Sequence, residues 1–108
     1  MISKLVCMSW DDIMNSDLNF KVNSLRHVVE LQGVEVGLPT STILLYFNRI
    51  SGKVNVAVFT FNTLQYDLNV QGLEDYYINS TIETGDDGTP FSEITCVSKK
   101  IVSILENS

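Results

Sequence analysis

The sequence predicts an α+β domain, with a largely antiparallel sheet of about five to six strands and helices near both termini. Three observations favour this class. Apolar and polar residues alternate with a period of two through the middle of the chain, turn signals separate the alternating segments, and helical spacing recurs near the C-terminus. The length of 108 residues and the apolar fraction of 44% suit a single domain, residues 1–108, with one hydrophobic core.

The first predicted element is a short helix that begins after Ser9. Ser9 can cap the helix, and Asp12, three residues later, is a weaker form of the usual Glu or Gln partner in a capping box. Acidic residues in the first turn also suit the helix dipole. The helix is expected to end near residues 15–17.

Residues 21–36 favour a strand. His27, Val29 and Leu31 alternate with residues of the opposite face, and the β-branched valines of this segment favour extended backbone. A change of phase at Gly33 predicts a β-bulge or a bend. The competing interpretation is a helix over residues 24–32.

The middle of the chain predicts a meander of four strands joined by short connections. The first of these strands is apolar enough to be covered on both faces, whereas the third alternates cleanly and should have one solvated face. A turn signal at residues 50–53 and a glycine at position 72 separate them. The strands are expected at residues 42–49, 54–62, 64–71 and 76–83.

The C-terminal part predicts an exposed turn at residues 85–88 followed by an amphipathic helix. Thr89 can cap this helix, and Pro90 is favoured at the first helical position. The apolar residues that follow lie close to one helical stripe, which should pack on one face of the sheet. These residues are Phe91, Ile94, Val97, Ile101, Ile104 and Leu105.

The chain is strongly acidic, with 13 Asp and Glu against 7 Lys and Arg and a formal net charge of −6. This balance argues against direct nucleic-acid binding, because phosphates are contacted mainly by Lys and Arg. The start of the chain lacks the pattern of a signal sequence, and the longest apolar run, residues 43–47, is too short to span a bilayer. We therefore expect a cytoplasmic protein with no membrane partner, in which Cys7 and Cys96 are reduced, buried thiols.

Catalytic and metal-binding patterns are not found in the sequence. His27 is the only histidine, and its apolar neighbours favour a structural role over catalysis. Cys7, His27 and Cys96 lack the close spacing of zinc ligands, and the turn at residues 86–88 lacks the spacing of a calcium loop. The protein is therefore expected to be no enzyme, with no catalytic residue, no metal site and no cofactor.

Three acidic clusters are the candidate partner-binding sites, and two of them contain large aromatic residues. Trp and Tyr are favoured anchors in protein interfaces, and carboxylates steer a basic partner and raise its association rate. The alternative for each cluster is a solvated turn or a core aromatic. The candidate residues are Trp10, Asp11 and Asp12; Glu74, Asp75, Tyr76 and Tyr77; and Asp86 and Asp87.

In size, acidity, lack of a signal sequence and lack of catalytic residues, the whole chain resembles the small acidic immunity proteins that bacteria encode beside toxins, such as those of contact-dependent growth inhibition systems. No motif carries the resemblance, because these proteins share no common signature or fold, and no functional residue is transferred from it. It implies stoichiometric binding of a cognate toxin, often a basic nuclease, whose active site or substrate groove is covered. We expect such an inhibitor to be a monomer rather than a dimer.

Three other functions stay open on the sequence alone. A phage-encoded inhibitor of a host nuclease or defence complex would look the same, and gene neighbourhood would separate it from an immunity protein. A structural subunit or an obligate dimer could use residues 43–47 as an interface, which a mass measurement would reveal. An enzyme or a small-ligand carrier would depend on His27, and a His27→Ala variant without activity would support it.

Overall fold

A computed structural model describes residues 2–32, 40–61 and 73–106. They form six antiparallel strands in one sheet, with helices before and after it, which confirms the predicted α+β class. Helices α1 (Ile2–Val6) and α2 (Trp10–Met14) precede the sheet, and α3 (Lys99–Glu106) follows it. The strands are β1 (Phe20–Asn23), β2 (Val28–Leu31), β3 (Thr40–Phe47), β4 (Val54–Phe61), β5 (Tyr76–Thr84) and β6 (Pro90–Ser98).

The strand order is β1-β2-β3-β4-β6-β5, so β6 lies between β4 and β5. The predicted central meander is therefore correct for β3 and β4, but its last strand, β5, does not pair with β4. The predicted strand at residues 64–71 lies outside the described residues. Alternate side chains of β6 are fully buried, whereas those of β5 are partly or fully exposed, so burial favours β6 in the interior and β5 at the edge.

One face of the sheet carries the hydrophobic core, which α1 and α2 help to cover. Phe59 on β4 is fully buried at its centre, in register with Ile43 on β3 and Ile94 on β6. The buried apolar residues are Leu5, Val6, Ile13, Val29, Leu31, Ile43, Leu45, Phe47, Val54, Ala57, Phe59, Phe61, Leu73, Ile94 and Cys96.

The opposite face, here called the open face, carries a row of partly exposed apolar side chains. These residues lie in one register row across five strands. Tyr46 is 39% exposed and Tyr77 is 52% exposed, in contrast to the buried core residues of the other face. The row consists of Val28, Tyr46, Val56, Val97 and Tyr77.

The prediction that a helix begins at Pro90 is wrong, because residues Pro90–Ser98 form strand β6 and the helix begins only at Lys99. Strand β6 forms backbone ladders with β4 and with β5, and these tertiary contacts override the local helix-start signal. The expected stripe is divided as a result. Ile94 faces the core, whereas Val97 faces the open side. Ile101 lies in α3 and is partly buried, and the side chains of Ile104 and Leu105 lie outside the described part of the chain.

The predicted N-terminal helix is confirmed as α2, including its cap. The Ser9 amide donates to the Asp12 carboxylate at 3.0 Å, and the Asp12 amide donates to the Ser9 hydroxyl at 3.1 Å. Both halves of a capping box are therefore formed. The preceding helix α1 was not predicted by the sequence pattern.

The segment predicted as one strand over residues 21–36 contains two strands, β1 and β2, separated by a turn at residues 24–27. His27 therefore ends a turn instead of lying in a strand, and its φ of 58° is in the left-handed region. The competing helix over residues 24–32 is excluded by the observed strand Val28–Leu31. The bulge expected at Gly33 lies outside the described residues.

Candidate functional site

The three predicted clusters lie at two ends of the sheet. The strand register places the turn between β3 and β4, the start of α2 and the start of β5 at one end. The turn between β5 and β6 lies at the other end, nine residues along β5, which corresponds to about 30 Å of strand. The first two clusters therefore lie at the opposite end of the sheet from Asp86 and Asp87. The three clusters do not form one compact surface.

Trp10 in the first cluster packs against the edge of the core. Its indole ring stacks on the His27 imidazole with a centroid distance of 3.9 Å, and it meets the Phe47 ring edge-on at 5.5 Å. The Trp10 amide donates to the Gly52 carbonyl at 2.7 Å, which ties α2 to the turn after β3. These contacts hold the start of α2 against the β1–β2 turn and the β3–β4 turn.

The carboxylates of the first cluster differ in their roles. Asp12 is bound to the backbone of Ser9 as part of the capping box, so its orientation is fixed by the helix start. Asp11 is exposed on the same first turn. Both carboxylates are exposed, but the capping box fixes the orientation of Asp12 only.

Tyr76 and Tyr77 of the second cluster point to opposite faces of the sheet. The Tyr76 hydroxyl donates to the Val54 carbonyl at 2.8 Å, and the side chain packs against the core. Burial raises the pKa of this hydroxyl above its ordinary value of 10.0, and nearby ionisable groups, Cys7 first among them, raise it further. Tyr77 lies on the open face, with the Lys99 ammonium 5.5 Å from its ring centroid, which is within cation–π range.

The surroundings of Asp75 are mixed in charge. Asp75 and Tyr76 line a cavity of about 700 Å³ near the start of α3. The same cavity is lined by Cys7, Lys53, Lys99 and Lys100. The second cluster therefore borders a cavity whose lining includes three lysines as well as Asp75.

Asp86 and Asp87 lie in the exposed turn that joins β5 to β6, as predicted. The Gly85 amide donates to the Thr89 carbonyl, and the Thr89 amide donates to the Asp87 carboxylate, both at 2.9 Å. The hydrogen bond from the Thr89 amide, and a smaller contribution from the Thr89 side chain, hold the pKa of Asp87 below its ordinary value. Gly88 has a φ of 82°, a conformation that glycine adopts without steric cost. The turn therefore presents two exposed carboxylates on a hydrogen-bonded backbone.

The charge is divided between two parts of the chain. Residues 54–98 contain seven Asp and Glu and no Lys or Arg, whereas all seven Lys and Arg lie before or after that segment. The fold places the described strands of this segment, β4, β6 and β5, side by side. We call these three strands and the β5–β6 turn the acidic half of the sheet. The absence of basic residues could have been read from the sequence, but the adjacency of the strands could not.

The exposed carboxylates Glu83, Asp86 and Asp87 lie together near the end of the acidic half that is remote from Lys99. Glu83 was not among the residues predicted from the sequence, because it falls inside a strand pattern instead of a turn. Lys99 was also missed as a neighbour of Tyr77, because the two residues meet only through the pairing of β5 with β6.

Neither cysteine is in a disulfide, and the two are not a buried pair. Cys7 is exposed, which contradicts the expectation for that residue, whereas Cys96 is buried on β6. Burial raises the pKa of the Cys96 thiol to about 11. Cys7 differs because it follows α1 beside the open cavity instead of lying within the sheet.

Within residues 2–32, 40–61 and 73–106, no three His, Cys, Asp or Glu side chains are grouped so that they could hold a metal ion. In the same ranges, no helix has the length and apolar character needed to cross a membrane. The chain matches no protein-family model, no curated protein and no solved structure.

Proposed function

We propose that this chain is a non-enzymatic, cytoplasmic binding protein that neutralises a basic toxin, a nuclease, by stoichiometric binding over its active site. The observation that carries the proposal is the acidic half of the sheet, whose three strands and turn contain four carboxylates, Glu83, Asp86, Asp87 and Glu93, and no Lys or Arg. Such a one-signed surface attracts a basic partner and raises its rate of association.

The β5–β6 turn is the part of this surface best suited to first contact. Asp86 and Asp87 are exposed, and Glu83 lies just before them on β5. Charges separated by more than about 8 Å are largely screened at physiological ionic strength, so the lysines at the far end of β5 have little effect here. The turn is therefore the strongest negative feature that an approaching basic surface would meet.

A nuclease is the class of basic protein that fits this surface best, because its substrate groove must attract phosphates. Carboxylates on an ordered turn can occupy the same basic groove without offering a bond to cleave. The complex would form quickly and weaken with added salt. Discrimination among basic proteins would depend on contacts beyond charge, such as the tyrosines of the open face.

The test uses the protein encoded beside this chain in its source genome. Titration calorimetry should give one binding site per toxin molecule, and the complex should show no nuclease activity. Failure of the two proteins to bind, or a complex that retains full nuclease activity, would contradict the proposal.

A pair of matched charge reversals locates the contact. Asp86→Lys and Asp17→Lys change the net charge equally, and both residues are exposed, but only Asp86 lies in the acidic half. Asp86→Lys should weaken binding roughly fivefold, mainly through slower association, while Asp17→Lys should change affinity by less than about twofold. Equal effects of the two variants would mean that net charge, and not this surface, determines binding.

A further inference from the structure

The cavity beside the start of α3 has a lining that is rich in lysine. Its volume of about 700 Å³ lies in the range of sites that bind small molecules and cofactors. The end of α1, the β3–β4 turn, the start of β5 and the junction of β6 with α3 form its walls. Lys53, Lys99 and Lys100 line it, so three of the seven Lys and Arg of an acidic chain are found at one cavity.

We propose that this cavity binds a small organic phosphate, whose phosphate group is held by the lysines and whose organic part lies on the apolar wall. The cavity is at the end of the sheet opposite to Asp86 and Asp87, and the inference does not depend on the proposed function. The residues of the cavity are scattered along the sequence, so no motif indicates the site.

The charge of the lining favours an anion. Asp75 is the one carboxylate among the described residues of the lining, so three lysines and one aspartate give it a formal charge of +2. Within residues 2–32, 40–61 and 73–106, none of the three ammonium groups takes part in an ion pair. A phosphate monoester carries a charge of about −1.5 to −2 at neutral pH, which matches this lining.

The lysines differ in their positions at the cavity. The Lys99 ammonium is 5.5 Å from the ring centroid of Tyr77 on the open face, so it lies where the cavity meets that face. Lys53 is at the end of the β3–β4 turn, where the Asn48 amide donates to its carbonyl at 2.8 Å. Lys100 is an exposed residue in the first turn of α3. Three different elements therefore supply the positive charge.

Polar side chains that can donate to phosphate oxygens accompany the lysines. The Ser51 hydroxyl accepts a hydrogen bond from the Lys53 amide at 3.2 Å, and its own proton can still be donated. Asn55 and Ser98 also line the cavity, and their amide and hydroxyl groups are donors of the same kind. Three phosphate oxygens can use several such donors at once.

The apolar wall requires a ligand larger than inorganic phosphate. Val6 and Val54 are buried residues of this wall, and Ile101 is partly buried. The Tyr76 hydroxyl donates to the Val54 carbonyl, so its polar end is already bonded and its ring adds apolar surface. An ester with an aliphatic or aromatic body would cover this wall, whereas inorganic phosphate would leave it in contact with water.

Two sources could supply such an ester, a soluble metabolite or the head group of a phosphatidic acid. The phosphate chemistry is the same in both. Ile50 lines the cavity and is 98% exposed, so an apolar side chain lies at its mouth, where the acyl chains of a lipid would begin. The experiments below therefore include one arm for each source.

The first experiment is an NMR titration of the ¹⁵N-labelled protein with phenyl phosphate. We expect saturable shifts at residues 51–55 and 98–101, with a dissociation constant of about 0.1 mM that rises with added salt. Phenol and inorganic phosphate should each bind at least about tenfold more weakly. Equal binding of phenol would contradict recognition by the lysines, and equal binding of inorganic phosphate would contradict the apolar wall. The absence of saturable binding up to about 10 mM would overturn the proposal.

Charge variants of opposite sign locate the phosphate group. Lys53→Gln and Lys100→Gln should each weaken the binding of phenyl phosphate about fivefold, whereas Asp75→Asn should strengthen it about threefold. Lys21→Gln is the control, because Lys21 is exposed on β1 outside the cavity, and it should change the affinity by less than about twofold. Equal losses in Lys21→Gln and Lys53→Gln would mean that net charge, and not this cavity, determines binding.

A second pair of variants fills the cavity without changing its charge. Asn55→Trp places a large ring at the wall and should weaken phenyl phosphate binding at least about tenfold. Asn79→Trp makes the same substitution on an exposed strand residue outside the cavity and should leave the affinity unchanged. Circular dichroism checks that both variants are folded, and the lysine variants test the site if Asn55→Trp is not. Unchanged binding in a folded Asn55→Trp variant would overturn the proposal.

Vesicle flotation separates the two sources of the ester. Flotation with phosphatidylcholine vesicles that contain phosphatidic acid, and its loss in Lys53→Gln/Lys100→Gln, would identify the lipid as the source. Binding of phenyl phosphate without flotation would identify a soluble ester. Flotation that persists in the double variant would contradict lipid binding at this cavity. The Asp86→Lys variant separates the proposal from the proposed function, because it should weaken binding to the toxin and leave the affinity for phenyl phosphate unchanged.

Discussion

The two edges of the sheet differ in length and in protection. Strand β1 has four residues, and its Lys21 stands in register with Glu30 on the neighbouring strand. Strand β5 has nine residues and no basic side chain. A short edge with a lysine offers few backbone groups and disfavours the approach of another strand. The comparison teaches that the two outermost strands of the described sheet differ in how many backbone groups they offer, four residues in β1 against nine in β5.

The β1 edge is also tied to its surroundings. The Arg49 guanidinium in the β3–β4 turn donates a hydrogen bond to the Leu25 carbonyl in the β1–β2 turn. The Phe47 amide donates to the His27 carbonyl at 3.0 Å, in the same region. Strand β5, by contrast, is held by its ladder to β6, by the turn at residues 85–89 and by the Tyr76 hydroxyl. Strand β5 is therefore paired with β6 along its whole length.

The largest effect expected from this comparison is the destabilisation by Thr81→Pro. Thr81 directs its amide toward Glu93 on β6, so proline removes a ladder hydrogen bond in the middle of β5. We expect a loss of about 3 kcal/mol in the free energy of unfolding. Urea denaturation followed by circular dichroism measures it.

Ser80→Pro is the matched control for Thr81→Pro, because it lies one residue away and directs its amide outward. Its cost should be below about 1 kcal/mol, since proline is tolerated where the edge amide faces solvent. Equal destabilisation by the two prolines would show that the assignment of inward and outward amides is wrong.

The second effect concerns the turn that orders the end of β5. Gly88→Ala places a β-carbon at a φ of 82°, where the structure leaves open space but the backbone is unfavourable. The expected loss is about 1 kcal/mol in the free energy of unfolding. Gly88→Asn should cost less, because asparagine tolerates the left-handed region better. A loss for alanine no greater than that for asparagine would contradict the strained turn.

A smaller effect is expected from the pH dependence of stability. The Thr89 amide lowers the pKa of Asp87 in the folded state, so the folded protein binds that proton less readily than the unfolded chain. The stabilisation is therefore present above about pH 4 and is lost as the pH falls through the folded pKa. Asp87→Asn should lose this part of the pH dependence.

Urea denaturation at several acidic pH values measures this difference for Asp87→Asn. The control is Asp86→Asn in the same turn, which leaves the hydrogen bond between Thr89 and Asp87 in place. If the wild-type protein and Asp87→Asn show parallel curves of unfolding free energy against pH, Asp87 makes no such contribution.

The smallest effect is expected at the opposite edge. The Gln32 amide donates to the Asn19 carbonyl, so the alternation of β1 directs the Val22 amide away from β2. Val22→Pro should therefore cost less than about 1 kcal/mol in the free energy of unfolding, as expected for Ser80→Pro. Urea denaturation followed by circular dichroism checks this, and a loss as large as that of Thr81→Pro would contradict the outward direction of the Val22 amide.

Predictions that rest on local chemistry are confirmed in the structure. The capping box of Ser9 and Asp12 and the turn around Asp86 depend on neighbours within a few residues, so the sequence contains all the partners involved. The alternating pattern of residues 54–61 likewise predicts strand β4. Because the turn at Asp86 and Asp87 is formed by residues that are close in the sequence, the sequence was sufficient to predict that these two side chains are exposed.

Predictions that depend on long-range contacts are less accurate. The sequence suggests Tyr76 and Trp10 as interface anchors, but it does not show their contacts with Val54, His27 and Phe47, which are distant in the chain. The cavity that Asp75 shares with three lysines likewise forms only in the fold. A cluster in the sequence shows the charge of each residue, but it does not show which side chains the fold brings near that residue.

The sequence by itself determined the α+β class, the acidity of residues 54–98 and the turn that presents Asp86 and Asp87. Only the tertiary structure decided that Pro90–Ser98 is a strand, because two flanking ladders outweigh a local helix-start signal. That insertion of β6 moves β5 to the edge and brings Lys99 over Tyr77. The position of β5 beside β6 therefore follows from strand pairing, which depends on burial and backbone hydrogen bonding across the whole sheet.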